Sequence, residues 1–172
     1  MKRGGNKKGQ FYLVAAIILT MIIISIATIS NYSKRNKYSD LNSLKEELQI
    51  ESTKVIDYGI HKPLTQMQMN ELLQNFTQEY INSESGNKNL YFVFGTTSNI
   101  TLKLHQDNEN NVFLNNNLVA NSPGTNVSSI DPGDSVNLTI NTTSYIFDIK
   151  SGENFYFVIS KEEEGEEYVV TG

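Results

Sequence analysis

The sequence contains no cysteine, and this absence excludes disulfide bonds and thiolate-bound metal ions. It also has no acidic residue before Ser39, although this first part holds half of the cations. These seven cations are Lys2, Arg3, Lys7, Lys8, Lys34, Arg35 and Lys37. From Ser39 onward there are seven cations and all 19 acids, which gives a net charge of −12. A surface that binds nucleic acid would need an excess of cations in this acidic part, so nucleic acid is not an expected partner. The acidic residues most simply form a solvated surface.

Motifs that carry catalysis are missing as well. No Gly-rich phosphate loop follows a predicted strand, and no Gly-x-Ser-x-Gly elbow occurs. The two histidines, His61 and His105, stand at no metal-ligand spacing, and we expect both to be solvated. The sequence therefore predicts neither an enzyme nor a cofactor site.

Two acidic segments match calcium-binding patterns only in part. In "DNENN" (107–111), oxygen-bearing side chains stand at loop positions one, three and five. However, Val112 stands where such a loop needs Gly, and Leu118 stands where it needs a bidentate Glu. We interpret this segment as a hairpin turn. The run "KEEEGEE" (161–167) indicates a solvated loop more than a weak Ca²⁺ site, so no metal site is predicted.

Charged residues are also absent from a long apolar run, Phe11 to Ile29. These 19 residues would form a helix of about 28 Å, close to the ~30 Å hydrocarbon core of a bilayer. The run predicts a single transmembrane helix at residues 10–32, behind a basic leader at residues 1–9. An alternative is a secretory signal cleaved near Ala27, since Ser25 and Ala27 are small.

The orientation of this helix follows from residues on its two sides. Four cations precede the run and three follow it, which hardly decides the direction. Asn-x-Ser/Thr triplets all lie after the run and would suit an exported surface, although some arise by chance in so Asn-rich a chain. The first begins at Asn31, and the candidate glycosylation sites are Asn75, Asn99, Asn126, Asn137 and Asn141. We expect a cytoplasmic N-terminus and an extracellular C-terminal domain.

Apolar residues at helical spacing continue beyond the run. A helical stem is predicted at residues 33–60, with one apolar stripe. The stripe consists of Leu41, Leu44, Leu48, Val55 and Tyr58. An amphipathic helix follows at residues 63–82, where Thr65 and Gln68 resemble a capping box. Its apolar stripe consists of Met69, Leu72, Leu73, Phe76 and Tyr80, and we expect this stripe to be core packing.

From Asn89 the apolar period changes from helical spacing to two. In "NITLKLH" (99–105) the apolar residues alternate with Thr101, Lys103 and His105, which form the polar phase. "SVNLTI" (135–140) alternates in the same way, and Asn115-Asn116 predicts a tight hairpin. Seven or eight short strands with frequent turns predict an antiparallel β-sandwich at residues 88–172, Ig-like or jelly-roll-like. The expected fold class is α+β.

The segment Lys8-Gly9-Gln10, directly before the apolar run, resembles the processing site of archaeal type IV pilin-like proteins, which include archaellins. The resemblance implies a class III-type (prepilin) signal, cleaved after Gly9 by a membrane peptidase on the cytoplasmic side. Gln10 would become the first residue and the helix would be kept. The family also has a long N-terminal helix that carries a β-sandwich. At the fifth mature position this chain has Val14, where many pilins have a Glu that archaellins often lack.

Two functions of different classes remain open at this point. The first is a structural subunit, cleaved after Gly9, that packs through its apolar helix into a filament or surface complex with lipid and other pilin-like subunits as partners. The second is an uncleaved, monomeric, single-pass surface module whose β-sandwich binds a partner or a glycan. A secreted protein, cleaved near Ala27, is a further alternative.

Overall fold

The structure is a computed structural model that describes the backbone of residues 7–163 and 165–172 and the side chains of residues 17–25, 40–163 and 165–172. It consists of two compact units, Met1–Asp40 and Leu41–Gly172. The described part contains two helices and nine strands: α1 (Lys7–His61), α2 (Gln66–Glu84), β1 (Asn89–Thr96), β2 (Asn99–Gln106), β3 (Val112–Leu114), β4 (Asn117–Ala120), β5 (Gly124–Ile130), β6 (Ser135–Ile140), β7 (Thr143–Asp148), β8 (Asn154–Glu163) and β9 (Glu166–Thr171).

The first unit is helical in its described backbone and belongs to α1. The transmembrane helix predicted at residues 10–32 falls in this unit, and most of its side chains lie outside the described residues. A search of the residues that the structure does describe finds no helix long and apolar enough to span a membrane.

In the second unit, α1 buries one stripe of side chains. Leu41, Leu44 and Leu48 are buried, as the sequence predicts. Tyr58 is 55% exposed, so its place in the predicted stripe is wrong. The reason is the helical period of 3.6 residues, which places Leu48, Ser52 and Gly59 on the buried face and leaves Tyr58 beside it.

The second helix begins at the predicted capping box. The backbone N–H of Thr65 donates to Gln68 Oε1 at 3.0 Å, and the Gln68 N–H donates to Thr65 Oγ1 at 3.3 Å. The two bonds satisfy backbone donors that a helix start otherwise leaves unpaired. The predicted apolar stripe is also confirmed, because its residues are buried or pack against the buried cluster.

The strands form two antiparallel sheets. One has five strands in the order β5-β2-β1-β8-β9, and the other has four in the order β4-β3-β6-β7. Four hairpins lie within the sheets, and four connections pass from one sheet to the other. The fold class is therefore α+β with two antiparallel sheets, an arrangement compatible with a sandwich. Strand β5, "GTNVSSI", is an element that the sequence analysis missed.

The central strand β1 of the five-stranded sheet is buried on both faces. Successive residues of β1 point to opposite faces, so Leu90, Phe92 and Phe94 pack against the helices. Tyr91 and Val93 pack instead into a second cluster, shared with the four-stranded sheet. Burial on both sides explains why "LYFVF" is a continuous apolar run rather than an alternating one.

Helix α2 also covers polar residues of β2. Thr101 and Lys103, expected on a polar face, are 1% and 5% exposed. The ammonium group of Lys103 donates to Gln74 O at 2.8 Å, and the Thr101 hydroxyl donates to Asn70 Oδ1 at 3.3 Å. Burial lowers the pKa of Lys103, because desolvation disfavours its charged form.

Asparagines stabilise several turns and connections. The predicted hairpin at Asn115-Asn116 is confirmed, and both residues have positive φ, +46° and +66°. Asn115 Oδ1 accepts a hydrogen bond from the backbone N–H of Asn137 at 2.8 Å. Asn89 Oδ1 accepts from the N–H of Asp107 at 2.8 Å, at the start of "DNENN". This segment is not the predicted hairpin turn, because it connects β2 to β3 in the other sheet.

Candidate functional site

The described side chains of the apolar run form an exposed helix surface. All side chains of residues 17–25 are exposed, and the large apolar ones are 47% to 62% exposed. The Ser25 hydroxyl donates to the backbone O of Met21 at 2.8 Å, within the helix. This polar group is therefore already hydrogen-bonded, and the surface can enter an apolar environment at lower cost.

The predicted processing residues, Lys8, Gly9 and Gln10, fall within the bounds of α1. Their side chains, like that of Val14, lie outside the described residues.

Among the candidate glycosylation sites, Asn75 lies on the exposed side of α2. The Thr77 of its triplet is fully buried, and its hydroxyl donates to Leu73 O at 2.8 Å. Asn99 is exposed at the start of β2, but the Thr101 of its triplet is buried. An enzyme that must reach both residues of a triplet in the folded domain would be hindered at these two sites.

The other three candidates lie in or beside strands. Asn126 is half-buried in β5, and Asn137 is half-buried in β6. Asn141 is exposed in the turn between β6 and β7, with an exposed Thr143. Its side chain already has a structural role, because Oδ1 accepts from the N–H of Asn111 at 2.9 Å and Nδ2 donates to Asn110 Oδ1 at 2.8 Å.

The two histidines lie on different elements, α1 and β2. The two acidic segments meet, because Asn108 Nδ2 donates to Glu162 Oε2 at 3.3 Å and both segments line a cavity of about 410 Å³. Nδ1 of His61 lies 2.8 Å from Asp57 O, and Nδ1 of His105 lies 3.2 Å from Thr125 Oγ1. The acidic run at 161–167 is part of a hairpin, since β8 extends to Glu163 and β9 begins at Glu166, and this corrects the predicted loop. Within the described residues, no group of three or more potential metal ligands occurs.

A groove between α1 and α2, here named the inter-helix groove, was missed by the sequence analysis. Its volume is about 560 Å³, and its lining residues are Glu51, Lys54, Val55, Phe76, Glu79, Tyr80 and Ser83. The sequence predicts the apolar stripe on α2 that includes Phe76 and Tyr80. It gives no signal that α1 lies beside that stripe and leaves part of it open.

The described surfaces are thus an exposed apolar helix and a groove with charged residues on its rim. Both are suited to contact with lipid or with another protein, because they present apolar area at the surface. Comparison of the chain with protein-family models, with curated proteins and with solved structures finds no match.

Proposed function

We propose that the chain is a membrane-anchored, pilin-like cell-surface protein of archaeal type, cleaved after Gly9. It acts as a structural subunit of a filament or surface complex. The observation that carries the proposal is the motif Lys8-Gly9-Gln10 followed directly by the uncharged run Phe11–Ile29. A peptidase at the cytoplasmic face would reach this motif without disturbing the helix.

Membrane insertion is supported by the composition of the run. It contains eleven residues of Phe, Leu, Val or Ile, each worth about −0.3 to −0.6 kcal/mol on insertion. Together they favour insertion by about 3 to 7 kcal/mol, and no Asp, Lys or Arg opposes them. The exposed side chains at residues 17–25 agree with a helix whose contacts come from lipid or other helices.

The proposed topology has the leader inside and the acidic domain outside. The four leader cations, together with lipid headgroups, hold the N-terminus in the cytoplasm before cleavage. The C-terminal domain is a β-sandwich ectodomain, Ig-like or jelly-roll-like, with its Asn-x-Ser/Thr triplets on the extracellular side. Asn141 offers the most exposed triplet there, although its amide group takes part in turn hydrogen bonds.

Assembly would follow cleavage. Removal of the leader takes four cations from the end of the helix and leaves Gln10 first. Packing between helices in lipid depends on shape and on small residues that permit close approach, and Ala15, Ala16 and Ala27 supply such positions.

The test is the mature N-terminus of the protein in native archaeal membranes. Intact mass should show wild type beginning at Gln10, whereas Gly9→Val should retain the leader and still insert, because the apolar run is unchanged. Gly5→Val is the matched control in the same leader and should be processed normally. If wild type and Gly9→Val both retain the leader, the proposal loses its main support.

The uncleaved, monomeric surface module is the second candidate. Val14 favours it, since many pilins use a Glu at that position to pair with a neighbouring N-terminus. The same mass measurement separates the candidates, because the monomeric module would keep residues 1–9. A mature chain beginning at Thr28 would indicate instead a secreted protein cleaved near Ala27.

A further inference from the structure

The inter-helix groove combines an apolar floor with a polar rim. Val55 and Phe76 are half-buried, and Tyr80 is 6% exposed, so these three side chains form the floor. The Tyr80 hydroxyl donates to Leu44 O at 3.4 Å, and its ring meets Phe92 edge-on with centroids 5.9 Å apart. These contacts fix the floor in place, and the open part of the groove offers a shaped apolar surface.

The rim of the groove is mainly acidic. Glu51 on α1 and Glu79 on α2 line it, with Lys54 as the one cation among the lining residues. Burial raises the pKa of Tyr80, and the carboxylates of Glu84, Glu47 and Glu51 raise it further. These carboxylates raise the pKa because they disfavour a second negative charge on the phenol. They come from both helices, Glu47 and Glu51 from α1 and Glu84 from α2.

The rim acids Glu51 and Glu79 are available for a partner. Ion pairs recorded among the described residues join Lys88 to Glu84 at 3.3 Å and Lys161 to Glu163 at 3.1 Å. Neither pair uses the two rim acids. An occupant with positive charge would thus complement the rim, and long aliphatic stems on it would suit the floor.

The chain itself contains one segment of this chemistry outside the leader. Lys34, Arg35 and Lys37, here named the basic collar, lie within four residues, followed by Tyr38. From Ser39 onward the chain has a net charge of −12, so acids outnumber the cations there. Lys and Arg stems can lie along an apolar floor while their charged ends reach carboxylates.

We propose that the inter-helix groove of one copy receives the basic collar of a second copy. Apolar contact with the floor and charge pairing with the rim would then hold neighbouring subunits together outside the bilayer core. This inference rests on the proposed function, because the collar precedes Glu51 by at least 14 positions on α1, so the two copies must be offset along their helices, as successive subunits of a filament are.

The contact can be detected by cross-linking in native membranes with their attached filaments. Ser83 is exposed and lines the groove, so a photoreactive residue placed there would face the occupant. Two full-length copies with different tags are expressed together, and only one carries the photoreactive residue. We expect a cross-link between the two tags that maps to the tryptic peptides around the basic collar. The yield should fall as salt increases, because exposed charge pairs are screened.

Charge reversal tests the pairing itself. Replacing Glu51 and Glu79 by Lys should reduce the cross-link about tenfold, because like charges then face the collar. Replacing Lys34 and Arg35 by Glu should reduce it equally, and mixing the two variants should restore it. The matched control replaces Asp57 and Glu71 by Lys, which changes the charge by the same amount outside the groove, and should leave the yield unchanged.

Two kinds of result overturn the inference. In one, the cross-link maps to lipid, to another protein or to a different segment of the second copy. In the other, the control variant loses as much yield as the groove variant, or mixing the reversed variants restores nothing. The mature N-terminus and filament content of the same membranes are measured in parallel. If cleavage and filaments persist, the groove contact alone is refuted and the proposed function stands.

Discussion

Replacing Leu138 by Asp tests the core that lies between the two sheets. Leu138 is fully buried on β6, on the same face as Val136 and Ile140. Removing a buried leucine side chain typically costs about 2–5 kcal/mol. An unpaired carboxylate in the same place adds several kcal/mol of desolvation, or the group takes up a proton. The total is comparable with the whole stability of a typical domain, about 5–15 kcal/mol.

A matched control lies on the neighbouring strand. Ile146 of β7 is opposite Asn137 in the pairing of these two strands and is 69% exposed. Ile146→Asp introduces the same carboxylate into the same sheet but leaves it in water. We expect a change within about 0.5 kcal/mol for this control.

The assay is thermal unfolding of the full-length chain in detergent, followed by near-ultraviolet circular dichroism. The chain has nine tyrosines and no tryptophan, and Tyr91 is fully buried in the same core as Leu138. We expect Leu138→Asp to lower the free energy of unfolding by at least about 3 kcal/mol at pH 7, or to abolish the transition.

The pH dependence of Leu138→Asp provides a second check on the same core. Burial should raise the pKa of the new carboxyl group above its unfolded value of about 3.9. The folded state then binds the extra proton, so the stability of the variant should fall as pH rises through the window between the two pKa values. Equal stabilities for Leu138→Asp and Ile146→Asp at pH 7 would refute the assignment of this face to the core.

Three further predictions follow from the described residues. Gly95→Ala should cost about 2–4 kcal/mol of stability, because φ is +132° and a Cβ would collide with Asn99 O. Gly124→Ala should cost only about 1–2 kcal/mol, because φ is +125° but the space around it is open. Equal losses of stability in urea unfolding would contradict the collision. Lys103→Met should raise stability at pH 7, because burial lowers the pKa of Lys103. The gain in stability should shrink toward pH 10.5, where the unfolded lysine also loses its proton. A gain that is independent of pH would contradict this prediction. Protease added to intact cells should degrade the acidic C-terminal domain, and full protection in cells with an accessible envelope would reverse the proposed topology.

Local features of the fold could be predicted from the sequence because neighbouring residues determine them. The capping box needs only Thr65 and Gln68 at a spacing of three. The hairpin at Asn115-Asn116 needs only two residues that tolerate positive φ. The buried face of β6 follows from simple alternation in a strand.

Features that depend on a distant element could not be predicted. Lys103 occupies a polar phase in the sequence, but α2 covers it, and nothing near Lys103 indicates that cover. Strand β5 is rich in Ser, Thr, Asn and Gly, so it lacks an apolar signal, and its pairing with β2 identifies it. The "DNENN" connection has turn residues that suit a hairpin and a crossover equally.

The inter-helix groove was missed for the same reason. Phe76 and Tyr80 belong to a stripe that periodicity assigns to the core, and periodicity does not show how completely a neighbour covers that stripe. Glu51 and Glu79 are separated by 28 positions in the sequence, so no motif joins them. Only the packing of two helices brings the acids to one rim.

The central claim is that the cleaved chain is a subunit of a surface structure. Mass spectrometry of filaments and complexes sheared from the surface of cells that express the protein tests this claim most directly. We predict that the sheared fraction contains the protein with a terminal peptide that begins at Gln10. If the protein is absent from that fraction and the membrane-bound form begins at Met1 or Lys2, the claim is contradicted and the monomeric anchored module is the better account.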